Sequence, residues 1–209
     1  MGDLTGGRYP DSYEEWLLDG SPLPPYRQTM SRRDITVSTV SVASTAATVF
    51  PVVCQAGDVL GAVSLLVKTA TATPTHSWVA LYTGMATTST LIAQSADVTT
   101  GFTANALKLT LGTGAPYLVG GGPGTAQGSA NTGGASGPTI LGVMIYNSGA
   151  TGAIFDGMAG SAVAGAVAIT GQVPFVFSAT VSATATAPAT LSGFTATVNG
   201  VPYIALSRS

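Results

Sequence analysis

The sequence predicts an all-β body carried behind a charged N-terminal arm. Three observations predict it. Apolar residues in the body recur with period two or as short unbroken runs, the marks of half-buried and doubly buried strands. Outside Ala153–Ala168 no helical periodicity there exceeds about three turns. Charge, finally, is segregated: ten of the chain's 16 charged residues are Asp3, Arg8, Asp11, Glu14, Glu15, Asp19, Arg27, Arg32, Arg33 and Asp34. Beyond Asp34 the chain carries only Asp58, Lys68, Asp97, Lys108, Asp156 and Arg208. We therefore divide it into an arm, residues 1–34, and a display body, residues 35–209.

The arm comes first. Ser12-Tyr13-Glu14-Glu15 is a capping box, in which Ser12 accepts from the Glu15 amide while Glu15 reaches back. Tyr13, Trp16 and Leu17 then share one side of a short helix that Gly20 stops. Pro22-Leu23-Pro24-Pro25-Tyr26 favours extended polyproline II. A helix of about two turns is not stable alone in water, so the arm is expected to order against a partner surface. Tyr13, Trp16, Leu17 and Tyr26 are its candidate apolar anchors. Arg27, Arg32 and Arg33 are expected to meet carboxylates of that partner, since aromatics and arginines carry most interface energy.

In the body, Leu107, Leu109 and Leu111 alternate with Lys108 and Thr110, a half-buried strand. Trp78–Tyr82 and Ile140–Tyr146 are continuous apolar runs, expected to be buried on both faces. Val173–Val181 keeps period two, and Pro174 suggests that this strand starts at an edge. Asn199-Gly200, between Phe194–Val198 and Val201–Leu206, predicts a hairpin, because both residues tolerate the positive φ of a type I′ turn. It also places the C-terminus in a sheet. Two stretches read as loops: Gly112–Gly137, longer than the usual connection of about 4–6 residues, and Gly152–Gly171.

Charged residues are 8% of the chain, against about 25% in an ordinary soluble protein. A body this neutral is expected in an assembly rather than as a free monomer. With no basic patch it lacks the footprint of a nucleic-acid binder. Met1–Gly20 holds more acids than bases and has no apolar core, so no secretory leader is expected. Gly157–Ile169 is apolar but too short to span a bilayer. No cofactor is expected: one histidine, one cysteine and scattered aspartates give no metal-ligand cluster, and Gly120–Gly124 lacks the Lys of a phosphate loop.

Every Ser-His-Asp arrangement would have to run through His76, with Asp97 as its nearest acidic candidate. We expect His76 to be a strand-end residue bonding a loop carbonyl, and the chain not to be an enzyme. Asp58 and Asp97 read as strand-end turn residues. Cys54 reads as a buried small hydrophobe. Trp78, Tyr82, Phe102, Tyr117 and Tyr146 could form a sugar platform, but their apolar contexts favour the core.

The run His76-Ser-Trp-Val-Ala-Leu-Tyr-Thr83, followed by Leu91-Ile-Ala-Gln-Ser-Ala-Asp97, resembles a family of virion proteins from bacteriophages of actinobacteria, minor tail or tail-fibre-like proteins. Leu141-Gly-Val-Met-Ile-Tyr146 and Val201-Pro-Tyr-Ile-Ala-Leu206 are similar to the same group. The resemblance spans Ile35 to Ser207 and leaves out the arm. It implies a jelly-roll-like antiparallel β-sandwich displayed on the virion as an oligomer. A homotrimer is the expectation, since displayed modules usually close by rotational symmetry. The expected partners are other virion proteins of the tail. Capsid decoration or a head fibre is the alternative, and a host-surface glycan-binding module a further one.

Overall fold

The computed structural model describes residues 27–30, 32–85, 88–112, 116–119, 139–158, 177–180, 184–196 and 200–208. Among them the chain is antiparallel β-sheet with one 3-10 turn at Arg32–Asp34 and no α-helix. The strands in chain order begin with β1 (Arg27–Gln28), β2 (Val37–Ser41), β3 (Ala46–Cys54), β4 (Val59–Leu60) and β5 (Ala62–Thr69). Next come β6 (His76–Tyr82), β7 (Leu91–Gln94), β8 (Asn105–Thr110), β9 (Tyr117–Leu118) and β10 (Thr139–Ser148). The last are β11 (Ile154–Met158), β12 (Phe177–Thr180), β13 (Thr195–Ala196), β14 (Val201–Pro202) and β15 (Ile204–Ser207). The arm helix expected over 12–19 lies outside the described residues.

Two sheets form the sandwich. One runs β13-β12-β3-β10-β6-β7; the other runs β1-β15-β5-β11-β14, with β8 beside β5 and β2 beside β11. The chain changes sheet at most of its connections, as in a jelly roll. Between the sheets lie Phe50, Val52, Val79, Leu81, Val143 and Ile145 of the first, facing Val63, Leu65, Leu109, Phe155, Ile204 and Leu206 of the second. The alternation read at Leu107–Leu111 holds: Leu109 and Leu111 are buried, while Lys108 and Thr110 are exposed.

A second core explains the unbroken apolar runs. Alternate residues of β6 and β10 point away from the sandwich: Trp78, Ala80, Tyr82, Met144 and Tyr146. A strap, residues 184–194, covers them and adds Leu191 and Phe194. The Trp78 Nε1 donates to the Thr184 carbonyl at 2.9 Å, and the Tyr82 hydroxyl donates to the Pro188 carbonyl at 2.7 Å. Gln94 clasps the strap twice, donating to the Ala185 carbonyl and accepting from the Ala187 amide. Trp78 stacks on Tyr146, ring centroids 4.9 Å apart. Both faces are therefore dry over Trp78–Tyr82 and from Leu141 to Tyr146; Ile140, expected to be buried with them, is exposed.

Four sequence expectations are corrected. The segments flanking Asn199-Gly200 do not form a hairpin: β13 pairs with β12 in one sheet and β14 with β11 in the other. The turn signal was local, whereas the two apolar segments are drawn to different sheets. Strand β12 lies between β13 and β3 and is not an edge; Pro174 is outside the described residues. Tyr117–Leu118, inside the glycine-rich stretch, pairs with β4. The supposedly loose Gly152–Gly171 contains β11. Its small residues serve close approach: a methyl group at Gly152 would overlap the Val42 carbonyl oxygen, and one at Gly157 the Val201 carbonyl oxygen.

Candidate functional site

Of the residues expected to dock a partner, Arg27 lies where the described chain enters the body. Arg27 opens β1 and pairs with Leu206 of β15. The strand is short, so side chains must hold it. The Arg27 Nε donates to Asp58 Oδ2 at 2.5 Å and its Nη2 to Asp58 Oδ1 at 3.0 Å, a two-pronged guanidinium–carboxylate pair. Nη2 also donates to Gln55 Oε1 at 2.9 Å. Asp58 closes its own turn by accepting from the Gln55 amide at 2.8 Å. Gly57 takes φ 93° in that turn, which suits glycine. Asp58 is thus the turn residue the sequence predicts, and it is 5% exposed.

Further bonds fasten the same segment. The Thr29 amide donates to the Ile204 carbonyl, the Thr29 hydroxyl to the Pro202 carbonyl, and the Ile204 amide to Thr29 Oγ1. Tyr203 donates to Gln28 Oε1 at 3.1 Å. Met30 then packs with Tyr203 and Ala205 over the outer face of the second sheet, with Ile35 against them. Residues 27–30, on the arm side of the boundary expected at residue 34, are thus packed and paired against the body. Arg27 is also corrected in role. Its carboxylate belongs to this chain, because β-pairing sets it beside the Gln55–Asp58 turn. Arg33 is exposed in the 3-10 turn. Tyr13, Trp16, Leu17, Tyr26 and the Arg32 side chain lie outside the described residues.

Cys54 sits fully buried behind this turn. Burial, and secondarily the Asp58 charge, push its thiol up to about 12. It behaves as the small hydrophobe the sequence predicts. The unfolded thiol ionises near 9.0, so above that pH the unfolded chain releases its proton first. Its contribution to stability is intact below pH 9.0 and is lost as pH climbs towards about 12. Urea midpoints measured across alkaline pH should therefore fall more steeply for the wild type than for Cys54→Ala.

The His76 end is opposite. Strand β3 runs from Ala46, beside Asn147, to Cys54, beside Thr139. Its nine residues separate the two ends by about 27 Å. His76 does open β6, but its Nδ1 lies 2.5 Å from Asp97 Oδ2, not on a loop carbonyl. Asp97 Oδ1 accepts from the Ser77 amide at 2.9 Å. The carboxylate thereby clamps the start of β6 to the chain leaving β7. Ser148 faces His76 across the strands, yet its hydroxyl bonds Thr75 at 2.6 Å. Among the described residues no hydroxyl or thiol is hydrogen-bonded to His76, and no three His, Cys, Asp or Glu residues gather as metal ligands.

Trp78, Tyr82, Phe102, Tyr117 and Tyr146 are all fully buried. Among the described side chains no aromatic is exposed, so none of these forms a sugar platform. The exposed large apolar residues include Val53 and Ile140, cross-strand partners at the arm-root end, each 42% exposed. The Arg27–Asp58 pair and the strap went unseen in the sequence. Arg27 and Asp58 are 31 positions apart, and no local pattern joins them. The strap is an Ala, Thr and Pro stretch with no apolar period.

The fold is an antiparallel β-sandwich whose first described strand is fastened to the second sheet by pairing and by the Arg27–Asp58 ion pair. No protein-family model and no curated protein matches this chain.

Proposed function

We propose that this chain is a structural protein of a bacteriophage particle, a minor tail or tail-fibre-type component. Residues 1–26 dock into the virion scaffold and the sandwich is displayed. The observation that carries this reading is the latch at Arg27: the chain enters the body at one end of the sandwich, held by a two-pronged ion pair and a strand pairing. A pull on the arm is then delivered to the sheet. The loop cluster around His76 faces away from that end. Val53 and Ile140 beside the arm root supply apolar surface for a neighbour to cover. The resemblance of four strand segments to actinobacteriophage virion proteins points the same way.

Within this reading Tyr13, Trp16, Leu17 and Tyr26 are the anchors, and Arg32 and Arg33 pair with scaffold carboxylates. The displayed assembly is a homotrimer. Residues 27–209 alone should fold, with a cooperative thermal transition, and should be lost from assembled particles. Quantitative mass spectrometry of purified virions reads both the loss and the copy number of the full chain. A few copies per particle place it in the tail; a number proportional to the major capsid protein makes it a decoration or head-fibre protein. Incorporation of the truncated body at full level would overturn the docking role of the arm.

A further inference from the structure

The inter-sheet space beneath the His76 end holds polar groups that no described residue satisfies. Along β10, Leu141, Val143 and Ile145 face the sandwich core, so alternation turns Asn147 the same way. Along β6, Val79 and Leu81 face the core, and Ser77 follows. The two residues are direct cross-strand partners, and both are 0% exposed. Among the described residues none offers a hydrogen-bond partner to the Asn147 Nδ2, the Asn147 Oδ1 or the Ser77 Oγ. Thr71 Oγ1, in the loop that closes the same end, is a third such group.

Leaving so many buried polar atoms unpaired would cost an amount comparable to a domain's whole net stability. Buried polar groups in native proteins are therefore almost always satisfied. Asn147 and Ser77 stand side by side, yet their side chains are not hydrogen-bonded to each other. Such a gap is closed by a bridging molecule. The chemistry selects its class. A cation would meet the Asn147 Nδ2 hydrogens, and an anion would meet Oδ1. Water alone among common small species both donates and accepts at one point.

We propose that Asn147 and Ser77 hold a structural water between β6 and β10. It ties the starts of the loops at this end together, directly under the His76–Asp97 clamp. The proposal stands independently of the virion reading.

A high-resolution crystal structure of the full chain should show a solvent peak within hydrogen-bond distance of both Asn147 and Ser77. Ser77→Ala gives the thermodynamic arm. With a bound water, the variant loses a partner and Tm falls by about 2–4 °C, the shift one lost hydrogen bond produces in a chain of this size. With an unpaired hydroxyl, removal leaves Tm unchanged or raises it. Ser77→Thr, which keeps the hydroxyl, should retain the solvent peak. An empty density map, an Asn147 amide turned onto a backbone carbonyl, or a peak with metal-coordination distances would each overturn the assignment.

Discussion

Asp58→Ala is expected to cost about 3 kcal/mol, the lower part of the range for breaking a buried ion pair. The lower part applies because the Arg27 side chain keeps 17% of its surface exposed while Asp58 keeps 6%. The loss has three sources: the Arg27 guanidinium loses its carboxylate, the Gln55 amide loses its acceptor, and β1 loses the side chain that pins it. Urea denaturation measures the cost, and limited proteolysis should show earlier cleavage within residues 27–36. Replacing both partners with apolar residues, Arg27→Met with Asp58→Leu, should recover most of the loss, because desolvation offsets much of a buried pair's attraction. A cost under about 1 kcal/mol would mark the pair as an ordinary surface contact. The latch would then no longer explain how the arm is held.

Trp78→Ala is expected to cost about 3–5 kcal/mol, as for other buried aromatics truncated to alanine. The side chain is 0% exposed. Truncation removes the stack on Tyr146 and the donor to the Thr184 carbonyl. The strap should then loosen as a unit. Hydrogen exchange reads this at the Leu91 and Leu191 amides, which donate to the Ala189 and Ser89 carbonyls. Trp78→Phe should keep much of the packing and cost about 1–2 kcal/mol for the lost indole bond. Equal exchange in the strap and the sandwich for Trp78→Ala would show that the two cores unfold together.

The strands that could be read in advance were those whose pattern is local. The unbroken runs at Trp78–Tyr82 and Ile140–Tyr146 required burial on both faces, and the sandwich core and the strap provide it for all but Ile140, which is exposed. Asp97 was legible as the nearest acidic candidate for His76, but the expected partner was a loop carbonyl, and the carboxylate takes its place because the second strand returns beside the first within a short loop. Asp58 and Cys54 also took the roles their neighbours imply. By contrast β11 was hidden by glycine and alanine, residues that lower strand propensity and here serve close packing. The Asn199-Gly200 signal named a turn but not the sheet each side joins.

The fold class, the neutral body and the division between a charged arm and a strand-rich remainder are determined by the sequence alone, because they rest on composition and on periods of a few residues. Tertiary structure decided where the arm ends, which carboxylate Arg27 meets, what covers the outer faces of β6 and β10, and which polar groups are sealed between the sheets. All of these depend on pairings between distant segments: β1 with β15, the strap with β6, and Asn147 with Ser77. In an antiparallel sandwich such contacts are non-local, and a side chain's pattern states only that it must be buried, not against what.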